Sequence, residues 1–146
     1  IIYQPFTKEI FVGGLGVSEY QRESLSIESA VRPCNSLQEA FLSSTFPEIG
    51  TKFEKLAFES VLSKVKFCRY GLDAYAYALV AIGHLDIVIE ANLKPYDVLA
   101  PIAVIEASGG VVTNWAGSEV KNGGRVLACG DKRLHEKVLD LLGGRT

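Results

Sequence analysis

Apolar and polar positions change rhythm along the chain near residue 50. Before it, the apolar residues fall in short extended runs. Ile1 to Tyr3 and Glu9 to Val12, separated by Pro5-Phe6-Thr7-Lys8, predict a β-hairpin, and Leu37 to Thr45 is a further apolar segment closed by Phe46-Pro47. After it, helical and strand periods alternate. Phe53, Leu56, Ala57, Ser60, Val61 and Leu62 recur at helical spacing, so Thr51 is expected to cap a helix reaching about Lys64. Val65 to Arg69 predicts a strand. Asp73 to Ile82 predicts a helix stopped by Gly83, although the alternation Ala74-Tyr75-Ala76-Tyr77 also permits a strand. Leu85 to Glu90 is short and β-branched, the clearest strand of the chain. Val98 to Ala107 predicts a helix ended by Gly109-Gly110, with Pro101 in its first turn, where a missing N–H does least harm. Val111 to Thr113 and Arg125 to Cys129 are strands, the first followed by a turn over Asn114 to Gly117. Asp131 opens a last helix that Gly143-Gly144 closes. The fold class implied is α/β: a mixed, largely parallel sheet with helices on both faces, preceded by a short β-hairpin.

Composition narrows the class. The chain has 146 residues, 48% hydrophobic and 22% charged, enough to bury a core of ordinary size and too apolar for intrinsic disorder. A net charge of −2 offers no field that would gather nucleic acid or an anionic membrane, and no apolar run reaches the roughly 18 residues of a membrane span. Cys34, Cys68 and Cys129 lack metal-ligand spacing and read as free thiols of a reducing, cytoplasmic compartment. The chain contains no methionine and begins Ile1-Ile2, so it is expected to be a piece of a longer protein.

Ligands of α/β sheets collect where strand ends meet helix starts, here the link Glu90 to Asp97. A carboxylate at a helix start accepts backbone N–H groups, stays ionised and suits a hard cation. Asp97 is therefore either an N-terminal cap or a cation ligand, and Glu90 either a solvated strand end or a pocket group. Asp73 stands where it could cap the following helix. Gly13-Gly14-Leu15-Gly16 lacks the lysine and the strand-to-helix setting of a phosphate loop and reads as a hairpin turn. His84 and His135 have no ligand partner at useful spacing and read as surface residues. Trp115 reads as packing, and Asn114 as a turn residue.

From Gly71 to Gly117 the chain resembles the inositol monophosphatase family of metal-dependent phosphatases. The matching text is Gly71-Leu72-Asp73-Ala74-Tyr75-Ala76-Tyr77, then Ala81 to Asp86, Glu90, Pro95-Tyr96-Asp97-Val98-Leu99-Ala100, and Glu106-Ala107-Ser108-Gly109-Gly110 running on to Gly117. The run Arg69 to Tyr75, with Tyr96 where tryptophan is commoner, leans towards the histidinol-phosphatase branch. The resemblance implies Mg²⁺ as cofactor, two or three ions in an intact enzyme, with Asp97 as a metal ligand. It also implies that Glu90, Asp73, Gly71 and Leu72 face the non-phosphate part of a small phosphorylated substrate, histidinol phosphate or inositol phosphate, with Asp73 either a partner for a cationic amine of that substrate or only a helix cap. The family's Asp-Pro-hydrophobic-Asp-Gly-Thr motif is missing, since neither Asp-Pro nor Asp-Gly-Thr occurs in the chain. Residues 1–146 are accordingly expected to be one C-terminal α/β domain of a longer, homo-oligomeric phosphatase. The N-terminal metal-binding half is expected to lie outside these residues, and the chain alone is expected to be inactive. The alternatives are a sugar- or nucleotide-bisphosphate phosphatase of the same superfamily, and a non-catalytic binding module of the same fold.

Overall fold

A computed structural model describes residues 1–143; Gly144, half of the expected helix stop, lies outside the described residues. The expected hairpin is present as strands β1 (Ile2–Gln4) and β2 (Glu9–Gly14), antiparallel with Ile2 opposite Phe11. It does not end there. β3 (Val17–Arg22) and β4 (Leu25–Glu28) continue it into a four-stranded antiparallel meander, correcting the short hairpin of the sequence reading. The pattern of β4 hides this strand because all four of its residues are exposed, leaving no alternation of buried and polar positions. The β2–β3 turn is Leu15-Gly16, both at positive φ (54° and 80°), the two-residue turn that matches strand twist.

The second sheet has the order β6-β5-β7-β9-β8, from β5 (Phe41–Ser44), β6 (Phe67–Tyr70), β7 (Ile87–Leu93), β8 (Val111–Thr113) and β9 (Gly124–Cys129). The β5–β6 and β5–β7 pairs are parallel, whereas β7–β9 and β8–β9 are antiparallel. The sheet is mixed, as expected, but evenly so rather than largely parallel. β8 and β9 are joined by a loop too short for the crossover that parallel neighbours need, so they pair as antiparallel strands.

Helices cover both faces. Helix α1 (Lys52–Leu62) starts with a capping box: Thr51 Oγ1 accepts from the Glu54 N–H, and Glu54 accepts from the Thr51 N–H. It packs with α4 (Lys132–Leu142) over Leu42, Ile87, Ile89 and Leu127. Helices α2 (Ala74–Ala81) and α3 (Pro95–Ala107) cover the opposite face, against Val88, Val126 and Ala128. Ile87 and Ile89 belong to one core and Val88 to the other, the period of two that a central strand imposes.

The meander lies on the far side of α2 and α3, so these helices are enclosed between two sheets. That explains why DAYAYALVAI shows almost no polar face, and why it is a helix despite its alternating start: both sides of it are buried. Gly13 permits the close approach of the meander. A Cβ built there would lie 2.4 Å from the Val104 Cα and 2.5 Å from the Ala103 carbonyl oxygen. Glu9, buried on β2, accepts from the hydroxyls of Tyr20 (2.8 Å) and Tyr75 (2.7 Å) and ties the meander to α2.

Two further expectations change. His135 is buried, not at the surface, and its Nε2 lies 2.8 Å from Thr113 Oγ1; it falls on the apolar stripe of α4 with Leu134, Val138 and Leu142. Pro101 is the seventh residue of α3 rather than part of its first turn, because the helix starts three residues earlier than expected. Trp115 is buried and donates to the Val126 carbonyl (3.2 Å), as packing requires. Asn114 Oδ1 closes its turn by accepting from the N–H groups of Ala116 and Ser118.

Candidate functional site

A pocket of about 870 Å³ opens where β7 ends and where α2 and α3 begin, with β1 and the segment after β5 closing its sides. It brings together Asp73, Glu90 and Asp97, three acidic residues separated by up to 24 positions in sequence. Glu48 adds a fourth carboxylate to the lining, and among the described residues the lining has no lysine, arginine or histidine.

Glu90 is the best held of these. It is 6% exposed, which overturns the reading of a solvated strand end. Its Oε1 accepts from the Thr45 N–H (2.7 Å) and the Thr45 hydroxyl (2.8 Å), while Oε2 has only a long 3.5 Å contact with Ser44 Oγ. Burial raises its pKa above the usual carboxylate value; the Thr45 bonds work against this, and the Asp73 charge adds to it. Just past Glu90 the pairing of β7 with β9 slips: Glu90 faces Val126, but Leu93 faces Gly124. The bulge holds Ala91 and Asn92, with Asn92 at φ +62°, and turns the chain towards α3.

Asp97 is the third residue of α3 and is exposed. Its Oδ2 accepts from the Lys94 N–H at 2.7 Å, while no hydrogen bond to Oδ1 is formed among the described residues. Capping and ligand binding are thus compatible: one oxygen completes the helix start and the other is free to meet a cation. Pro101 cannot donate to the Asp97 carbonyl, so the intrahelical bond that would close this turn is missing.

Asp73 precedes α2 at φ +46° and ψ −138°, and its side chain makes no capping hydrogen bond. The capping alternative is therefore not realised, and the exposed carboxylate stands at the pocket with an unusual backbone behind it. Gly71, at φ +85°, turns the chain into this position and donates to the carbonyls of Ser44 and Thr45. Gly71 and Leu72 stand beside the pocket rather than on its lining, and Leu72 packs against the core. Sequence reasoning missed Thr45 and Ser44, which hold Glu90 from a neighbouring strand, and Tyr77, whose buried phenol also lines the pocket. Only Asn92 left a local trace, since asparagine tolerates positive φ better than most residues.

A pocket whose charged side chains, among the described residues, are all carboxylates repels an anion. It accepts a phosphate only through a cation placed between them, and it accepts an ammonium group directly. Asp97 offers hard oxygen of the kind Mg²⁺ takes. Yet no cluster of three or more His, Cys, Asp or Glu able to hold a metal exists among the described residues. Among the described residues Asp97 therefore offers a single donor of this kind, without a cluster around it. Cys34, Cys68 and Cys129 are free, and burial raises all three thiols above their ordinary pKa, which leaves them unreactive. No described helix is long and apolar enough to cross a membrane.

Comparison with known proteins gives this geometry its context. The chain is 40% identical to the bifunctional phosphatase IMPL2, chloroplastic, of Arabidopsis thaliana, over 97% of the chain and 43% of that protein. It is 28% identical to an inositol-1-monophosphatase of Caulobacter vibrioides, over 97% of the chain and 57% of the relative. Among solved structures, an inositol monophosphatase from Zymomonas mobilis superposes with a TM-score of 0.90 at 31% identity, covering 98% of this chain and 56% of that one. The chain thus spans about half the length of the relatives it matches. The family model of the inositol monophosphatases matches residues 1–144, and the chain belongs to the inositol monophosphatase family.

Proposed function

We propose that the full-length protein is a Mg²⁺-dependent phosphate-monoester hydrolase, and that these 146 residues supply one metal ligand and the wall that recognises the non-phosphate part of the substrate. The observation that carries this reading is the pocket's lining: Asp73, Glu90 and Asp97 together, with no basic side chain among the described lining residues. Asp97 Oδ1 would hold a Mg²⁺ ion, which when bound with its neighbours activates water and neutralises the phosphate. One carboxylate cannot hold such an ion for catalysis, so the 146 residues alone are inactive in this reading. Glu90, fixed by Thr45, orients a hydroxyl or amine of the substrate, and Asp73 pairs with a cationic group. An amine-bearing ester such as histidinol phosphate fits this wall better than neutral inositol phosphate, because Asp73 and Glu90 line the same pocket as Asp97 and offer an ammonium group two further carboxylates. A cytoplasmic location and assembly as a homo-oligomer belong to the same reading. The three free cysteines support the first, and the exposed Leu25 and Ile27 of β4 support the second.

The test is phosphate release by the full-length protein with and without Mg²⁺, using histidinol phosphate and inositol phosphate. The expected result is activity that a chelator abolishes and Mg²⁺ restores. Asp73→Asn should raise KM for the amine-bearing ester by about tenfold, the worth of a hydrogen bond to a charged group, and change the neutral ester by less than about twofold. Chelator-resistant activity would refute the metal reading. Equal losses on both esters would return Asp73 to a structural role.

A further inference from the structure

Tyr77 is 3% exposed, and its hydroxyl is buried with no hydrogen-bond partner. A buried hydroxyl without a partner costs stability, and the fold tolerates few of them. This one lies one turn along α2 from Asp73 and Ala74, on the face that lines the pocket. Burial, with the charges of Glu90 and Asp97 adding to it, holds its phenol protonated well beyond neutral pH, so it keeps an O–H that a carboxylate oxygen can accept. Glu90 has the matching deficit: Oε1 is doubly bonded, but Oε2 has just the 3.5 Å contact to Ser44.

We infer that Tyr77 is a positioning residue for Glu90: when a substrate engages the Glu90 carboxylate, Oε2 leaves the long Ser44 contact and accepts from the Tyr77 hydroxyl. The two under-bonded groups then satisfy each other. Glu90 gains a third fixed bond in the bound state, and the stability lost to the unpaired phenol in the empty state is recovered on binding. This inference rests on the assignment of Glu90 to the substrate, and nothing else in the proposed chemistry depends on Tyr77.

The experiment is a double-mutant cycle in the full-length protein with Mg²⁺ and the better of the two phosphate esters, measuring KM, kcat and the melting temperature. Tyr77→Phe should raise KM about tenfold with kcat changed by less than about twofold, because the bond forms on binding and persists. Its melting temperature without ligand should be equal to or above that of the parent, since the substitution deletes an orphan hydroxyl. In a Glu90→Gln background the same substitution should change KM by less than about twofold. Three results would overturn the inference: an unchanged KM in Tyr77→Phe, the same fold-change in both backgrounds, or a lower melting temperature, which would reveal a partner in the empty protein. If Glu90→Gln alone leaves KM unchanged, the substrate assignment of Glu90 is refuted and Tyr77 loses its role with it. If Glu90→Gln raises KM and Tyr77→Phe does not, only the present inference fails.

Discussion

Asp97→Asn separates the two roles that one carboxylate holds. The substitution keeps the side chain's size, and the amide oxygen can take the place of Oδ2 in accepting from the Lys94 N–H, now 2.7 Å away. What disappears is a negative charge in the first turn of α3, worth about 0.3–1 kcal/mol at an exposed helix start. The expected loss of stability is therefore below about 1 kcal/mol. The metal role predicts something much larger. Losing an anionic ligand should weaken Mg²⁺ binding and lower kcat/KM of the full-length protein by at least about 100-fold, a barrier increase of roughly 2.7 kcal/mol. Asp97→Ala should add the cost of the lost cap, about 1 kcal/mol, without a comparable further loss of activity. Calorimetric titration with Mg²⁺, steady-state kinetics and thermal melting measure the three quantities separately. A full-length Asp97→Asn protein with near-parental turnover and Mg²⁺ affinity would refute the ligand assignment and leave Asp97 as a cap alone.

Two predictions concern the scaffold. Gly13→Ala would put a methyl group 2.4 Å from the backbone of Val104, where nothing flexible can give way; separating β2 from α3 should cost about 3 kcal/mol in urea unfolding, and a loss under about 0.5 kcal/mol would refute the close approach. Asp131 caps α4, and its bonds to Arg133, with those from the backbone N–H groups of Arg133 and Cys34, hold its pKa down to about 2 against an ordinary value of 3.8. A depressed carboxylate stabilises above its unfolded pKa and loses that contribution as pH falls through the folded one, here between about pH 4 and pH 2. Because Arg133 is 62% exposed, the contribution at neutral pH is about 1 kcal/mol, and parent and Asp131→Asn should converge in stability as pH falls towards 2; a gap of constant size from pH 7 to pH 2 would refute the linkage.

Most of the local structure was legible in the sequence because its causes are local. Thr51 with Glu54 makes a capping box, Asp131 caps α4, Gly83 and Gly143 adopt positive φ at helix ends, and Ile87 to Glu90 is strand by β-branching and period. Asp97 and Glu90 could be singled out because a strand end and a helix start are written side by side. The family resemblance rests on the same stretch of residues. α3 starts three residues before Val98 because Pro95 suits the first helical position, and the chain alone does not say whether Pro95 or Val98 opens the helix.

What the sequence could not decide depends on which surfaces meet. The alternation in Ala74 to Tyr77 is resolved only because α2 lies between two sheets, which makes both of its sides interior. The meander's outer strand shows no alternation because neither of its faces is covered. His135 is drawn inside by the helix stripe it shares and by Thr113, a partner 22 positions away. At the site, Asp73 was one of five aspartates until the fold set it beside Glu90 and Asp97. Thr45 and Tyr77 carry no motif at all. Their roles come from the pairing of β5 with β7 and from the packing of α2 over the sheet, long-range contacts between segments whose own patterns are silent about each other. Local propensity and periodicity act over a few residues and so can be read along the chain; the pocket exists only once strands and helices distant in sequence bury their apolar faces together.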